Sequence, residues 1–401
     1  MVSLQINNGL IPDLDGKVVI ITGGSSGIGL ATVKILLSKG AVVHNLDRNE
    51  PIEAGWQTWR NLRYHRCDVA SFTSQRAVFD DIGPVHMAFA NAGVFEKTDF
   101  FSDVLDADGG LARPDSLLFD VNVKGVLYTV KLAWSSMRRH KIAGSIVITS
   151  STVGYAPEAA VPTYSALKAG LVGLVRSLRN VVVLDGITIN AVAPSGTHTP
   201  LAAGWLDPLV STGLPITSQP ELPALALIYS ATATQDRRVE TYGKEKMDDL
   251  YKKERWNGRI IYVLGDKFTE IEEPMADLRP YWFGRENEKL LKLQQEATDI
   301  SIAGASNKPS LPMDWDGKIL KGGFSKLFKM DSIMKESQRL NCIILRMILV
   351  RHFLEQKFKS FCVKFISTFD FKFKEGQSRT PYVLLESQYL LRHVPILLKR
   401  R

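Results

Sequence analysis

A glycine-rich run, Thr22-Gly23-Gly24-Ser25-Ser26-Gly27-Ile28-Gly29, lies between two segments of different periodicity, and that placement constrains the fold more than any other feature. Before it, Val18–Ile21 is wholly apolar, the pattern of a strand buried on both faces. After it, Ile28–Leu37 repeats apolar residues at helical spacing. Strand, glycine turn and helix in that order make an anion site. Glycines permit the sharp turn and let backbone N–H groups approach a phosphate, and the helix N-terminus favours negative charge. Gly23, Ser25, Ser26, Gly27, Ile28 and Gly29 are therefore candidates to hold the pyrophosphate of a dinucleotide. The spacing is Gly-x-x-x-Gly-x-Gly rather than Gly-x-Gly-x-x-Gly. Alone it also reads as a turn that merely caps a helix.

Further apolar runs follow at Ala41–Leu46, Val85–Ala90, Ser145–Ile148 and Ile187–Val192, each separated by stretches suited to helices. Trp256–Leu264, opening at Asn257-Gly258, is the last strand candidate. Alternating strands and helices predict an α/β fold with a doubly wound parallel sheet of the Rossmann kind, whose ligand crevice lies beyond the carboxyl ends of the strands. From Thr199 to about Lys253 the pattern weakens into Pro- and Leu-rich loops and short helices, read as a substrate lid. Arg285–Asp299 reads as a polar helix.

Asp47 ends the second strand 18 residues beyond Gly29, near the roughly 20 expected of a carboxylate that binds the adenosine ribose. A carboxylate there repels a 2′-phosphate and favours NAD. Arg48 beside it offers a guanidinium to that phosphate, which keeps NADP open. Asp68 and Val69, after the third strand, and Asn91, after the fourth, add groups at the adenine and ribose edge.

Tyr164-Ser165-Ala166-Leu167-Lys168 precedes the apolar helical run Ala169–Leu178 and follows Pro162. A Tyr and a Lys four apart share a helix face. A free phenol titrates near pH 10, too high for efficient proton exchange at neutral pH, and a nearby ammonium lowers that value. Ser151, just past the strand Ser145–Ile148, is placed to hold a substrate oxygen. A lone Tyr-x-x-x-Lys is a weak signal, because it often occurs as a solvated pair.

The landmarks taken in order resemble the short-chain dehydrogenase/reductase family. Thr22–Gly29 looks like its cofactor loop, Asn91-Ala92-Gly93 like its sheet-stabilising motif, and Asn122-Val123-Lys124-Gly125 like the segment bearing its structural asparagine. Ser151 precedes Tyr164 by 13 residues, the family's usual separation. Asn190-Ala191-Val192-Ala193-Pro194 resembles the strand before the nicotinamide site, followed by Thr197 and Thr199. The resemblance implies Tyr164 as acid/base, Ser151 as substrate orienter and Asn122 as water-relay residue. It gives Lys168 two tasks, lowering the tyrosine pKa and holding the nicotinamide ribose, and it places Pro194, Thr197 and Thr199 at the carboxamide end. It implies hydride transfer between NAD, or NADP, and a secondary alcohol or ketone on a medium-sized apolar molecule, and a homo-oligomer; the cytoplasmic location expected for the chain rests on its cysteine usage.

Two departures stand out. The family's Pro-Gly after the sixth strand is Pro194-Ser195-Gly196 here, and the common Asp-Gly-Gly turn near the end is replaced by Leu264-Gly265-Asp266-Lys267, running into Tyr281-Trp282-Phe283-Gly284. That ending resembles fungal members near the 15-hydroxyprostaglandin dehydrogenase type, often associated with secondary metabolism.

The net charge of +8 is uneven along the 401 residues. Residues 301–401 hold 19 Lys/Arg against 8 Asp/Glu, leaving 31 against 34 in the first 300, so the basic signal belongs to the tail. We therefore expect an enzyme domain at residues 1–299 and a basic extension at 300–401. For that extension, an appendage or gene-model artefact competes with a membrane-surface helix at Leu340–Phe358 and an edge strand at Phe365–Lys374. Dispersed basic residues frame no nucleic-acid motif. The three cysteines, Cys67, Cys342 and Cys362, have neither metal-ligand nor disulfide-framework spacing, which predicts a reducing compartment and no metal. Two other readings remain beside the leading one: an NADP-dependent ketone reductase, and a non-catalytic cofactor-binding module with a membrane-associating tail.

Overall fold

The computed structural model describes residues 2–96, 100–241 and 247–297. The chain divides into the units Met1–Ile300 and Ser301–Arg401, and every described residue falls in the first. The expected helix at Leu340–Phe358, the strand at Phe365–Lys374, Cys342 and Cys362 lie outside the described residues.

Nine strands form one sheet: β1 (Val2–Leu4), β2 (Val18–Thr22), β3 (Val42–Asp47), β4 (Leu62–Arg66), β5 (Met87–Ala90), β6 (Ser145–Thr149), β7 (Thr188–Pro194), β8 (Ile260–Leu264) and β9 (Lys267–Glu270). Their order is β1-β9-β8-β7-β6-β5-β2-β3-β4. From β4 to β8 every pairing is parallel, while β9 and β1 join antiparallel at one edge. The order reverses between β2 and β5, and a ligand crevice opens at such a switch point.

The apolar runs are continuous because both faces of the sheet are covered. Ile20, Ala88, Ile146, Ile148 and Ile189 face Phe79 of helix α2 (Phe72–Ile82), Val130 and Met137 of α3 (Val126–Arg139) and Leu171 and Val175 of α4 (Pro162–Val182). Val19, Ile21, Phe89, Val147 and Val192 face the other way, onto Val33 and Leu36 of α1 (Gly27–Ser38) and Ala226, Leu227 and Ile228 of α5 (Glu221–Thr232). The alternation within β2 is the pleat itself. Each fully buried Leu or Ile contributes about 1.5–3 kcal/mol, so the two apolar layers fix where the strand ends, and with them the site, must lie.

The structure departs from the sequence expectation in three places. Within the expected lid, Glu221–Thr232 is a core helix, α5, with Ala224, Ala226, Leu227 and Ile228 fully buried. A helix buried nearly all round shows no amphipathic stripe, so its period was hidden. The last expected strand begins at Ile260 rather than Trp256, because Gly258 turns the chain at a φ of +73°. β1 and β9 carry no apolar run; β9 places the charged Glu270 at a fully buried position, paired with Arg259. The polar helix expected at Arg285–Asp299 is observed as α6 (Arg285–Ala297). No described helix is long and apolar enough to cross a membrane.

Candidate active site

A cleft of about 330 Å³ opens at the carboxyl ends of the parallel strands. Its walls bring together Gly23, Ser26, Gly27, Ile28, Gly29, Asp47, Arg48, Asp68, Val69, Asn91, Ser151, Tyr164, Lys168, Pro194, Thr197 and Thr199. Two expected residues do not line it. Ser25 is turned inward, its hydroxyl donating to the Asn49 carbonyl at 2.6 Å and accepting from the Asn45 amide at 3.0 Å. Asn122 is fully buried behind the wall. Ser25 thus holds the loop's shape from within.

The glycine loop fits a dinucleotide's phosphates for a steric reason that the structure shows directly. Gly23 and Gly27 have φ of +70° and +50°. A Cβ on Gly29 would lie 2.0 Å from the Gly23 carbonyl oxygen, and one on Gly27 would lie 2.8 Å from the Thr199 methyl. No larger residue fits without opening the loop. The first turn of α1 has no side-chain cap at Ser26, which leaves its N–H groups to a ligand. Asn45, a fully buried residue of β3, secures the loop by accepting the Gly24 N–H at 2.9 Å. It was illegible in sequence, since a polar residue inside a strand run carries no signal of what it holds.

At the adenosine end, Asp47 accepts the Ser25 N–H through one carboxylate oxygen and the Asn49 N–H through the other, each at 3.1 Å. Its carboxylate is therefore fixed where β3 meets the loop. Arg48 stands exposed beside it on the cleft wall.

Asn91 ties the loop to the catalytic end of the cleft. Its amide donates to the carbonyls of Thr22 and Gly23 at 3.2 Å and accepts the Thr149 hydroxyl at 3.0 Å. Asn122 sits in a π-helical turn, Asp120–Gly125, leading into α3; such turns often mark functional positions. Its side chain is clamped at both ends by one residue, accepting the Val94 N–H at 3.1 Å and donating to the Val94 carbonyl at 2.8 Å.

Pro162 starts α4 at its first position, and Tyr164 and Lys168 follow one turn apart on its buried face. The Lys168 ammonium donates to the Thr149 carbonyl at 2.9 Å and lies 5.4 Å from the centre of the Tyr164 ring. Burial pushes the Lys168 amine down to about 8. Burial also pushes the Tyr164 phenol up to about 12, opposed by a hydrogen bond with the Ser151 side chain. Desolvation of the phenolate is the larger cause.

The inserted Ser195 is absorbed by the sheet: its N–H pairs with the Val263 carbonyl of β8 at 2.8 Å, continuing the ladder past Pro194. Gly196 then lies so close to Leu206 that a Cβ would approach it to 2.8 Å. Two aromatics stand over the site: Trp205, from the expected lid region, and Phe95, which the sequence did not single out. Phe95 packs on the Tyr164 ring at 5.1 Å and meets Trp205 edge-on at 5.3 Å. Among the described residues no group of three or more His, Cys, Asp or Glu is placed to hold a metal ion.

A strand-ordered cleft with a glycine cradle at one end and a Ser, Tyr and Lys cluster at the other can be compared with known proteins. The family model for short chain dehydrogenases matches residues 17–208. A short-chain dehydrogenase/reductase of Stachybotrys chlorohalonatus is 49% identical over 322 residues, 77% of this chain and 99% of that one. The chain is a short-chain dehydrogenase/reductase. A second relative, the (+)-borneol dehydrogenase 1 of Salvia officinalis, is 36% identical over 198 residues, 48% of this chain and 74% of that one. A solved short-chain dehydrogenase/reductase from Mycobacterium marinum superposes with a TM-score of 0.50 at 24% identity, over 56% of this chain and 92% of that one, and shares the fold. The family binds NAD or NADP and acts as oxidoreductases on alcohol and carbonyl groups. It uses small-molecule substrates and commonly assembles as oligomers.

Proposed function

We propose that this short-chain dehydrogenase/reductase oxidises a secondary alcohol, or reduces the matching ketone, on a medium-sized apolar molecule, with NAD(H) as its cofactor. The observation that carries the reading is the joint placement of Ser151, Tyr164 and Lys168 at the end of a cleft whose other end is the glycine cradle. Gly23–Gly29, Asp47, Asp68, Val69 and Asn91 would hold the pyrophosphate and adenosine, and Lys168, Pro194, Thr197 and Thr199 the nicotinamide end. The nicotinamide, when bound, supplies the hydride acceptor or donor.

The chain's own residues handle the proton and the substrate. Ser151 hydrogen-bonds the substrate oxygen and aligns it with the phenol of Tyr164. In ketone reduction Tyr164 donates its proton to the oxygen as charge develops there; in oxidation the phenol first gives its own proton up to solvent, and the resulting phenolate takes the hydroxyl proton. Lys168, buried and fixed on the Thr149 carbonyl, places its positive charge beside the phenol when the phenolate forms. Asn122 acts from behind the wall by holding Val94. Phe95, Trp205 and Leu201 give the substrate end an apolar, aromatic lining, which supports an apolar substrate; the borneol dehydrogenase acts on such an alcohol by its name.

The reading is tested by incubating the protein with NAD and a panel of cyclic and linear secondary alcohols, and with NADH and the ketones. Turnover of at least one apolar member is expected, and none across the panel with either cofactor would sink it. Direct titration should also show NAD bound more tightly than NADP by roughly 30-fold or more. That factor corresponds to about 2 kcal/mol for a 2′-phosphate facing the fixed Asp47 carboxylate. Tighter NADP binding would transfer the role to Arg48 and favour the NADP-dependent reading.

A further inference from the structure

The helix bearing Tyr164 and Lys168 begins without a cap of its own. Val161 occupies the N-cap position of α4 and offers no side-chain acceptor, so early N–H groups of the helix need partners from elsewhere. The N–H of Tyr164 itself is taken by Glu96, whose Oε2 accepts it at 2.9 Å across 68 residues of sequence. Glu96 ends the segment that leaves β5 through Asn91. Each of its last three residues grips part of the site. Val94 clamps both ends of the Asn122 amide. Phe95 packs on the Tyr164 ring. The other Glu96 oxygen, Oε1, is buried with no hydrogen-bond partner among the described residues. A buried unpaired oxygen costs stability, so the packing of the protein core alone does not call for a glutamate here.

We infer that Glu96 is a positioning residue, a long-range cap that fixes the Tyr164 backbone against Val94–Phe95 and so sets the angle at which the phenol meets the substrate. It touches neither substrate nor cofactor and acts through Tyr164. A carboxylate also suits the positive end of the α4 dipole, but the needed property is the acceptor oxygen, which an amide retains. The inference rests on the proposed role of Tyr164 as acid/base.

The test compares Glu96→Ala and Glu96→Gln in the full chain by two readouts. The first is the NMR signal of ring-labelled Tyr164, assigned by its disappearance in Tyr164→Phe. The second is turnover alongside NAD affinity. In Glu96→Ala the Tyr164 signal should shift or split, and turnover should fall about 10- to 100-fold, the effect of a displacement of around 1 Å in a reacting group. NAD affinity should stay within about threefold, because the cradle and its dipole do not involve Glu96. Glu96→Gln should restore both the single signal and most of the turnover. Wild-type turnover and an unmoved signal in Glu96→Ala would overturn the inference. So would equal damage in both variants, or a general loss of NAD binding and thermal stability in Glu96→Ala, since either makes the residue merely structural. If the wild-type protein turns over no alcohol or ketone, the functional reading fails. The NMR comparison then still decides whether Glu96 fixes Tyr164.

Discussion

Tyr164→Phe should lower turnover by at least about 100-fold while leaving NAD affinity and melting temperature nearly unchanged, because it removes a proton donor and little else. The ring stays in place. Phe95 packs on it at 5.1 Å whether or not the hydroxyl is present, and the backbone N–H remains on Glu96. With burial pushing the phenol up to about 12, Tyr164 keeps its proton near neutral pH and, in the proposed mechanism, donates it to the ketone oxygen. Activity within a few-fold of wild type would remove Tyr164 from the mechanism.

Glu272→Ala should be the most destabilising of the substitutions considered, although Glu272 is not part of the cleft. Its carboxylate is 2% exposed and holds three partners at once. Arg176 approaches to 2.7 Å, Arg179 to 3.2 Å, and the Tyr155 hydroxyl donates at 2.7 Å. Burial would raise its pKa, but Arg176, Tyr155 and Arg179 outweigh burial and hold it below the ordinary carboxylate value of 4.5. Removing the anion takes the carboxylate from buried Arg179 and part-buried Tyr155, while Arg176, more exposed, loses less. Breaking a buried pair from one side costs about 3–5 kcal/mol. In a domain of this size that lowers the melting temperature by on the order of 10 °C, as a thermal scan would read. The sign with pH follows from the depressed pKa. The contribution is complete above about pH 4.5 and is lost as acid carries the pH down through the folded-state value. Tyr155 also ends the turn Thr152–Gly154 that follows Ser151, so Glu272→Ala should loosen the substrate-orienting loop as well. A melting temperature within a degree or two of wild type would show that the cluster is dispensable.

The sequence made the strand–turn–helix entry and the order of the landmarks legible, because β2, β5, β6 and β7 are buried on both faces and read as uninterrupted apolar runs. It did not reveal two elements whose burial leaves no periodic apolar pattern. β9 hides behind Glu270, which pairs with Arg259, and α5 hides because apolar residues surround it. Within the site, motif residues such as Tyr164 and Lys168 carry their chemistry in their type and spacing. Asn45, Phe95, Glu96 and Trp205 do not. Each acts through a partner between 21 and 110 residues away, a relation that only the fold creates. Ser25 shows the converse: its type suggested a ligand contact, and its surroundings turned it into a brace.

The central claim, that the Ser151, Tyr164 and Lys168 end of the cleft performs alcohol and ketone redox chemistry, is tested most directly by following the reacting hydrogen. A secondary alcohol from the active panel, deuterated at its carbinol carbon, is turned over with NAD, and the recovered dinucleotide is examined by mass spectrometry and NMR. The account predicts one deuterium on the nicotinamide ring for each ketone formed, on a single face, and a proportional loss of both products in Tyr164→Phe. Ketone formation with an unlabelled nicotinamide, or label transfer undiminished in Tyr164→Phe, would contradict it.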